Sequence, residues 1–349
     1  MIKDFNTYIN EGLFDRNQSE FNIGKTNRGV EQVYFPKTKE DLYKYIELDI
    51  ERAKKEGTYP NVNLNNIDVS KIDTKKIYGL FSGEDSCYRD MKGFNINPDI
   101  SEWNIEYIHY QWFAKNSYIK SFVVPNSVKV IDVGAFEFCK NLTSITLPDT
   151  LRVIGSNAFY CCENLVSIDI PNGVKKIESS AFSKCVSLSS ILIPRNVTSI
   201  GILAFEKCLS MTFIDATSDN PVYRSEDGIL FNKNMDTIVK YPCGKEGDAY
   251  IIPDTVTKLD DWSFADCTNL KSIIIPDSVE VIGNGVFYGC EKLTSIVIPS
   301  SVKSLGDKCF LTCDNLTSAT VPKGFPRNCR PKNKLIERPF PRWCEVTEV

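Results

Sequence analysis

The stretch FEFCKNLTSITLP, Phe136 to Pro148, poses a question about Cys139, because a cysteine recurs at that place along the chain. It could be a metal ligand, a nucleophile, half of a disulfide or a packed wall residue. Proline supplies a ruler. Pro125, Pro148, Pro171 and Pro194 recur at a constant interval of 23, and Pro253, Pro276, Pro299 and Pro322 repeat that interval. Eleven residues after each proline stands Phe136, Phe159, Phe182, Phe205, Phe264, Phe287 or Phe310. Fourteen after stands Cys139, Cys162, Cys185, Cys208, Cys267, Cys290 or Cys313. Leucine or Met211 follows at +17, isoleucine or Ala319 at +20, and Ile or Leu at +6.

A fixed period of this length is the signature of a solenoid, in which each coil leaves an apolar edge that only a neighbouring coil covers. Ile145-Thr146-Leu147 alternates inward and outward as a strand does, and 128–131 forms a second apolar wall. Ala135-Phe136 fills the interior between them. Proline ends each strand because it has no N–H for the next rung. Stacking places the equivalent cysteines about 4.8 Å apart in one column. Zinc would need close ligand pairs such as C-x-x-C, which the chain lacks. A nucleophile needs an activating base, and seven identical ones would have no use. A small buried thiol with a weak donor is the reading that survives.

The pattern Cys-x-x-Leu-x-x-Ile-x-Ile-Pro followed by Val-x-x-Ile-Gly-x-x-Ala-Phe resembles BspA-type leucine-rich repeats over residues 118–322. The resemblance implies a β-rich, right-handed leucine-rich-repeat solenoid. It also accounts for an interruption between the two proline series, where 223–242 resembles the hairpin such arrays carry. The chain then divides into a polar segment (1–37), a capping helix (38–57), irregular BspA-associated repeats (58–117), a first block (118–216), a hairpin insertion (217–249), a second block (250–322) and a tail or cap (323–349). Thr38 with Asp41 predicts a capping box for the helix, whose apolar face is Leu42, Tyr45, Ile46, Ile50 and Ala53; a partner-binding helix is the alternative. In the irregular repeats, Asp68, Ser70 and Phe81 are matched to Asp99, Ser101 and Phe113. The opening 20 or so residues resemble the starts of proteins from large tailed phages of gut bacteria.

The formal charge of −4 gives no general attraction to nucleic acid or to an anionic membrane. A single histidine, His109, leaves little for Ser-His, Cys-His or zinc-His chemistry, and its aromatic surroundings suggest packing. No cofactor motif appears: CGKEG (243–247) lacks P-loop spacing and SEDGI lacks the alternating acids of a calcium loop. The start of the chain has no secretory pattern, which predicts a cytoplasmic or virion-associated protein with reduced cysteines, Cys329 and Cys344 being the exposed ones. That departs from exported members of the family and argues against an adhesin.

Function must lie on the exposed positions of the strand face. These are +18, +19 and +21, from which Thr143, Thr146, Asp169, Leu192, Lys271, Ile274, Val297 and Thr320 are singled out as the binding face. The face is hydroxyl-rich, with an apolar patch at Leu192, Ile274 and Val297. It suits a protein or glycan better than a small molecule, which needs a concave pocket; Ser and Thr also simply suit exposed strands. The basic +4 positions, broken by Glu280, read as a solvated face. The expectation is a non-enzymatic recognition protein, with a self-associating scaffold or virion component as the rival.

Overall fold

A computed structural model of the chain describes the backbone of residues 23–25 and 32–34, together with 36–65, 67, 69, 80–83, 94, 96–323, 340–341 and 343–349. Most of the opening segment, Asp68, Ser70, Cys87 and Cys329 lie outside the described residues. Within the opening polar segment, Ile23–Lys25 pairs antiparallel with Gln32–Tyr34.

Over the described residues the chain is a β-solenoid of about ten turns with one helix, near the N-terminus. The helix α1 spans Lys39–Glu56. Thr38 and Asp41 exchange side-chain-to-backbone hydrogen bonds as the sequence implies, and Gly57 closes the helix in the left-handed conformation at φ 75°. Leu42, Tyr45, Ile46 and Ala53 are buried in the array's core, so the helix covers the apolar end that a solenoid cannot leave open.

The first rung corrects one alignment. Asn61–Asn63 pairs in parallel with Asn97–Asp99, placing Asn63 opposite Asp99. Asn65 sits beside Ser101, its Oδ1 accepting from the Glu102 N–H at 2.9 Å, and Ile67 takes the place of Trp103. Asn63 caps its turn through its own side chain as Asp99 does, so the two asparagines, not Asp68 and Ser70, are the counterparts of Asp99 and Ser101. From Tyr107 onward the register is 23, earlier than the first proline of the ruler indicates.

Two walls run along the solenoid. One consists of two-residue parallel strands at Tyr107–Ile108, Val130–Ile131, Val153–Ile154, Lys176–Ile177 and Ser199–Ile200. It resumes at Lys258–Leu259, Val281–Ile282 and Ser304–Leu305. Between these halves Tyr223–Glu226, Ile229–Asn232 and Thr237–Lys240 pair antiparallel in succession, and the last joins Lys258–Leu259 in parallel. The insertion is therefore a three-stranded element set into the wall.

The second wall carries the strand face. Its strands are Ser121–Val123 with Ser144–Thr146, Ser190–Ile193 with Phe213–Ala216, Ala249–Ile251 with Ser272–Ile274, and Ser295–Val297 with Ser318–Val321 and Glu345–Glu348. Glu345–Glu348 shows that the tail adds one more rung, and Phe340 stacks on Phe310 at 4.9 Å.

The interior is a stack of rings. Phe81, Phe113, Phe136, Phe159, Phe182 and Phe205 follow one another at 4.7–5.9 Å, nearly parallel. Tyr241, Phe264, Phe287, Phe310 and Phe340 form a second ladder. Each fully buried ring contributes roughly 1.5–3 kcal/mol by leaving water. The apolar core divides with the rings, and Ile229–Asn232 is the partition: Leu230 belongs to the first core, Ile229 and Phe231 to the second.

Each regular coil of the two blocks also turns through two left-handed residues, at +9 and +13. Asn157 and Cys161, Ser180 and Lys184, Leu203 and Lys207, Trp262 and Asp266, and Lys308 and Thr312 all have φ between 54° and 61°. Glycine serves in only a few of these places, such as Gly134, Gly285 and Gly289. The remaining residues accept a cost of about 1 kcal/mol each for that conformation.

Candidate functional site

The cysteine column answers the opening question in atomic terms. Cys139 Sγ donates to the carbonyl oxygen of Phe113 at 2.9 Å, Cys162 to Phe136 at 3.2 Å, Cys185 to Phe159 at 3.1 Å and Cys208 to Phe182 at 3.2 Å. Cys290 and Cys313 repeat the bond to Phe264 and Phe287 at 3.2 and 2.9 Å, whereas Cys267 lies 4.0 Å from the Tyr241 oxygen. The thiol thus ties each turn to the ring-bearing residue of the coil before it. Asn116, in the coil preceding Cys139, does the same work, its amide donating to Phe81 and Ile96 oxygens at 2.7 Å. Burial pushes Cys139, Cys185 and Cys313 up to about 12, so the column is a set of inert thiols. All eleven described cysteines are free thiols. Cys344 is half-buried against the second core, a correction to its expected exposure.

His109 is buried, stacked on Tyr107 at 5.5 Å and edge-on to Trp112 at 5.2 Å. Among the described residues no group of three or more His, Cys, Asp and Glu side chains is arranged to hold a metal ion, and no helix is long and apolar enough to cross a membrane. The +4 column neutralises itself between coils: Lys129 bonds Glu106, and Lys303 meets Glu280 at 2.8 Å. Asn141 and Asn315, which stand in glycosylation-like triplets, are engaged with the Ser117 and Glu291 oxygens of the previous coil.

On the strand face the structure separates residues that the sequence grouped together. The +18 hydroxyls are occupied, because Thr143 donates to the Lys120 oxygen at 2.8 Å and Thr317 to Thr294 at 3.3 Å. Lys271 pairs with Asp248 of the preceding coil at 3.0 Å. Asp169 is exposed, but its stretch forms no strand. Thr320 is half-buried, because Glu345–Glu348 lies beside its strand and sets Thr347 against it. What projects freely is the +21 column. Thr146 is exposed in the first block, and Ile251, Ile274 and Val297 are 67, 58 and 60% exposed in succession in the second. Leu192 (53%) stands apart in the first block. Ile251 was missed because it precedes the first proline of the second series; the signal was present, since it stands one repeat period before Ile274.

The family profile described as "BspA type Leucine rich repeat region" matches six copies over residues 106–226 and 244–328, about three-fifths of the chain. The chain belongs to the BspA-type leucine-rich-repeat family.

Among solved structures, this BspA-type chain is similar to a leucine-rich repeat protein from Eubacterium ventriosum, with TM-score 0.58 and 24% identity over 79% of the chain. It spans 64% of that protein's length. A leucine rich cell surface protein from Faecalibacterium prausnitzii is 25% identical over 62% of this chain and 71% of its own, with TM-score 0.45. The pneumococcal vaccine antigen PcpA is 20% identical over 76% of this chain and 60% of its own, with TM-score 0.47. No curated protein sequence matches. The break in the family match, between 226 and 244, falls on the three-stranded element that divides the two ring ladders.

Proposed function

We propose that this BspA-type protein is a non-catalytic recognition module that docks a polypeptide partner on the strand face of its second block. The observation that carries the reading is the stripe Ile251, Ile274 and Val297, three exposed β-branched side chains at one strand spacing, about 4.8 Å apart. A repeat array gains nothing in its own stability from apolar residues that stay in water. A protein surface rather than a glycan suits the stripe, because sugars favour aromatic platforms. The one exposed aromatic ring on the described regular strands of this face, Phe213, is already covered by the Lys245 ammonium at 5.5 Å.

Light scattering of the reduced protein, alone and with fractionated lysate, tests the reading. A monomer that gains mass with one fraction supports it, provided that Ile274→Asp abolishes the gain and Thr146→Asp does not. The rival reading is a self-associating scaffold, favoured by the exposed strand Glu345–Glu348, which extends the strand face beyond Ser318–Val321. A homo-oligomer indifferent to lysate and to Ile274→Asp would put that rival first.

A further inference from the structure

The coil that joins the two blocks is too short. In a regular coil four residues lie between the second wall-strand residue and the ring, as between Leu259 and Phe264. In the joining coil Ile238 pairs with Leu259 and Tyr241 stacks on Phe264, yet only two residues lie between them. Both left-handed turns are gone: no residue between Met235 and Gly247 has positive φ. The omitted turn leaves a cavity of about 130 Å³ between Leu203 on one side and Trp262 on the other, several times the ~10–15 Å³ that one water requires.

The omission breaks a hydrogen-bond ladder. In regular coils followed by another regular coil, the N–H groups at +9, +11 and +13 donate to the next coil, as Ser180 does to Ile202 (3.0 Å), Phe182 to Ala204 (2.8 Å) and Lys184 to Glu206 (2.7 Å). The equivalent N–H groups of Leu203, Phe205 and Lys207 have no acceptor among the described residues. Phe205 is 2% exposed, and a buried N–H without a partner is rare because it costs about 1–3 kcal/mol.

On the facing wall the missing donors are replaced. Tyr241 N–H reaches Ser263 O at 2.8 Å, and the Lys240 ammonium reaches Trp262 O at 3.1 Å and Ala265 O at 3.3 Å. Lys240 lines the cavity, is nine-tenths buried, and has no carboxylate within ion-pair distance among the described residues. Burial opposes its charge, but Cys243, Cys267 and Asp266 outweigh that and hold its pKa above the usual lysine value. Of the carboxylates near the cavity, Glu206 accepts from Ser183 at 2.9 Å, Asp260 pairs with Lys258 at 2.9 Å and Asp261 accepts from Asn284 at 2.7 Å, while Asp266 acts on Lys240 from beyond ion-pair distance and its buried Oδ2 has no hydrogen-bond partner among the described residues. A buried ammonium that donates to two carbonyl oxygens, beside two unmet backbone donors, has a donor to spare for an anion with two acceptor oxygens.

We propose that this cleft is a carboxylate-binding site for a polypeptide, taking an acidic side chain or a chain terminus. Leu203 N–H, Phe205 N–H and the Lys240 ammonium donate to the carboxylate, and Ile202 and Trp262 flank the carbon that bears it. The site is separate from the strand-face stripe, so either can fail without the other.

The test is an amide-resonance titration of the labelled full chain with sodium acetate, against acetamide and against sodium chloride at equal ionic strength. The expected result is a saturable shift of the Leu203 and Phe205 amides with acetate alone, weakened at least tenfold in Lys240→Met. Two short capped peptides then distinguish the sources, one with a free C-terminus and one with an internal aspartate; whichever binds identifies the form of carboxylate. Equal responses to acetate and acetamide, or no response at those amides, would overturn the proposal in the wild-type protein alone, even if Lys240→Met does not fold. Failure of both peptides to bind would overturn it for polypeptides.

Discussion

The two blocks are built on one rule and enforce it to different degrees. In the first, neighbouring phenylalanines from Phe113 to Phe205 lie within 5–8° of parallel, and each column thiol is 2.9–3.2 Å from its carbonyl. In the second, Phe264 and Phe287 are tilted by 35°, and Cys267 has drifted to 4.0 Å from Tyr241 O. The tilt is 22° between Tyr241 of the shortened coil and Phe264, peaks at 35° one step on and returns to 13° at Phe310. A solenoid propagates its geometry coil by coil, so one irregular coil disturbs its neighbours and no others. The outside differs in the opposite sense. The first block's +21 column alternates, with Val123 and Leu192 separated by Thr146 and Asp169, while the second shows Ile251, Ile274 and Val297 in succession.

The largest effect that would break this comparison is removal of a ring. Phe182→Ala in the tight ladder is expected to cost about 3–5 kcal/mol, and Phe264→Ala in the loose one less. Urea unfolding should resolve the two, with Phe182→Ala lowering the stability of the first block ahead of the second; equal losses in a single transition would mean that the partition at Ile229–Asn232 is not an energetic one.

The next effect comes from pH. Burial raises the column thiols above 9.0 in the folded state, to about 12 at Cys139, Cys185 and Cys313. The folded state therefore holds protons that the unfolded state releases, and stability is flat below about pH 8.5 and falls as pH rises from 9 toward 12. Ellipticity followed at rising pH should show this loss, and a fold unchanged at pH 11 would contradict the buried column.

Smaller still is deletion of one thiol. Cys185→Ala removes one of two donors to the Phe159 oxygen, the Cys162 N–H remaining at 3.1 Å, and should cost about 0.5–1.5 kcal/mol, whereas Cys267→Ala, whose bond is already stretched, should cost less. The smallest effect has the opposite sign. Lys308 is exposed and left-handed at φ 60°, so Lys308→Gly should raise the melting temperature slightly, a gain of up to about 1 kcal/mol.

What could be read from the sequence was whatever a side chain must do in every coil. Phe136, Cys139, Leu142 and Ile145 repeat because the same cavity recurs once per period, and the capping box at Thr38 and Asp41 is a local pattern. The left-handed turns were illegible because they are properties of the backbone: Asn157, Ser180, Leu203, Trp262 and Lys308 share a conformation and nothing else. Phe340 escaped because its coil is longer than the repeat period, and Asn63 and Asn65 because asparagine replaces both Asp and Ser in that turn. The cleft at Lys240 left no motif, since it arises from residues the joining coil lacks.

Of the binding face, Leu192, Ile274 and Val297 were legible as outward strand positions. The occupation of Thr143 by Lys120 O was not, because it is a contact between coils.

The most direct test of the account is site-specific photo-crosslinking. A photoreactive residue is placed in turn at Ile274 and at Thr146, both outward on the same column, and the protein is irradiated in lysate. The account predicts one discrete adduct with another protein from position 274 and none from position 146. Adducts from both positions, or from neither, or a product formed only between two copies of this chain, would contradict recognition through the second block.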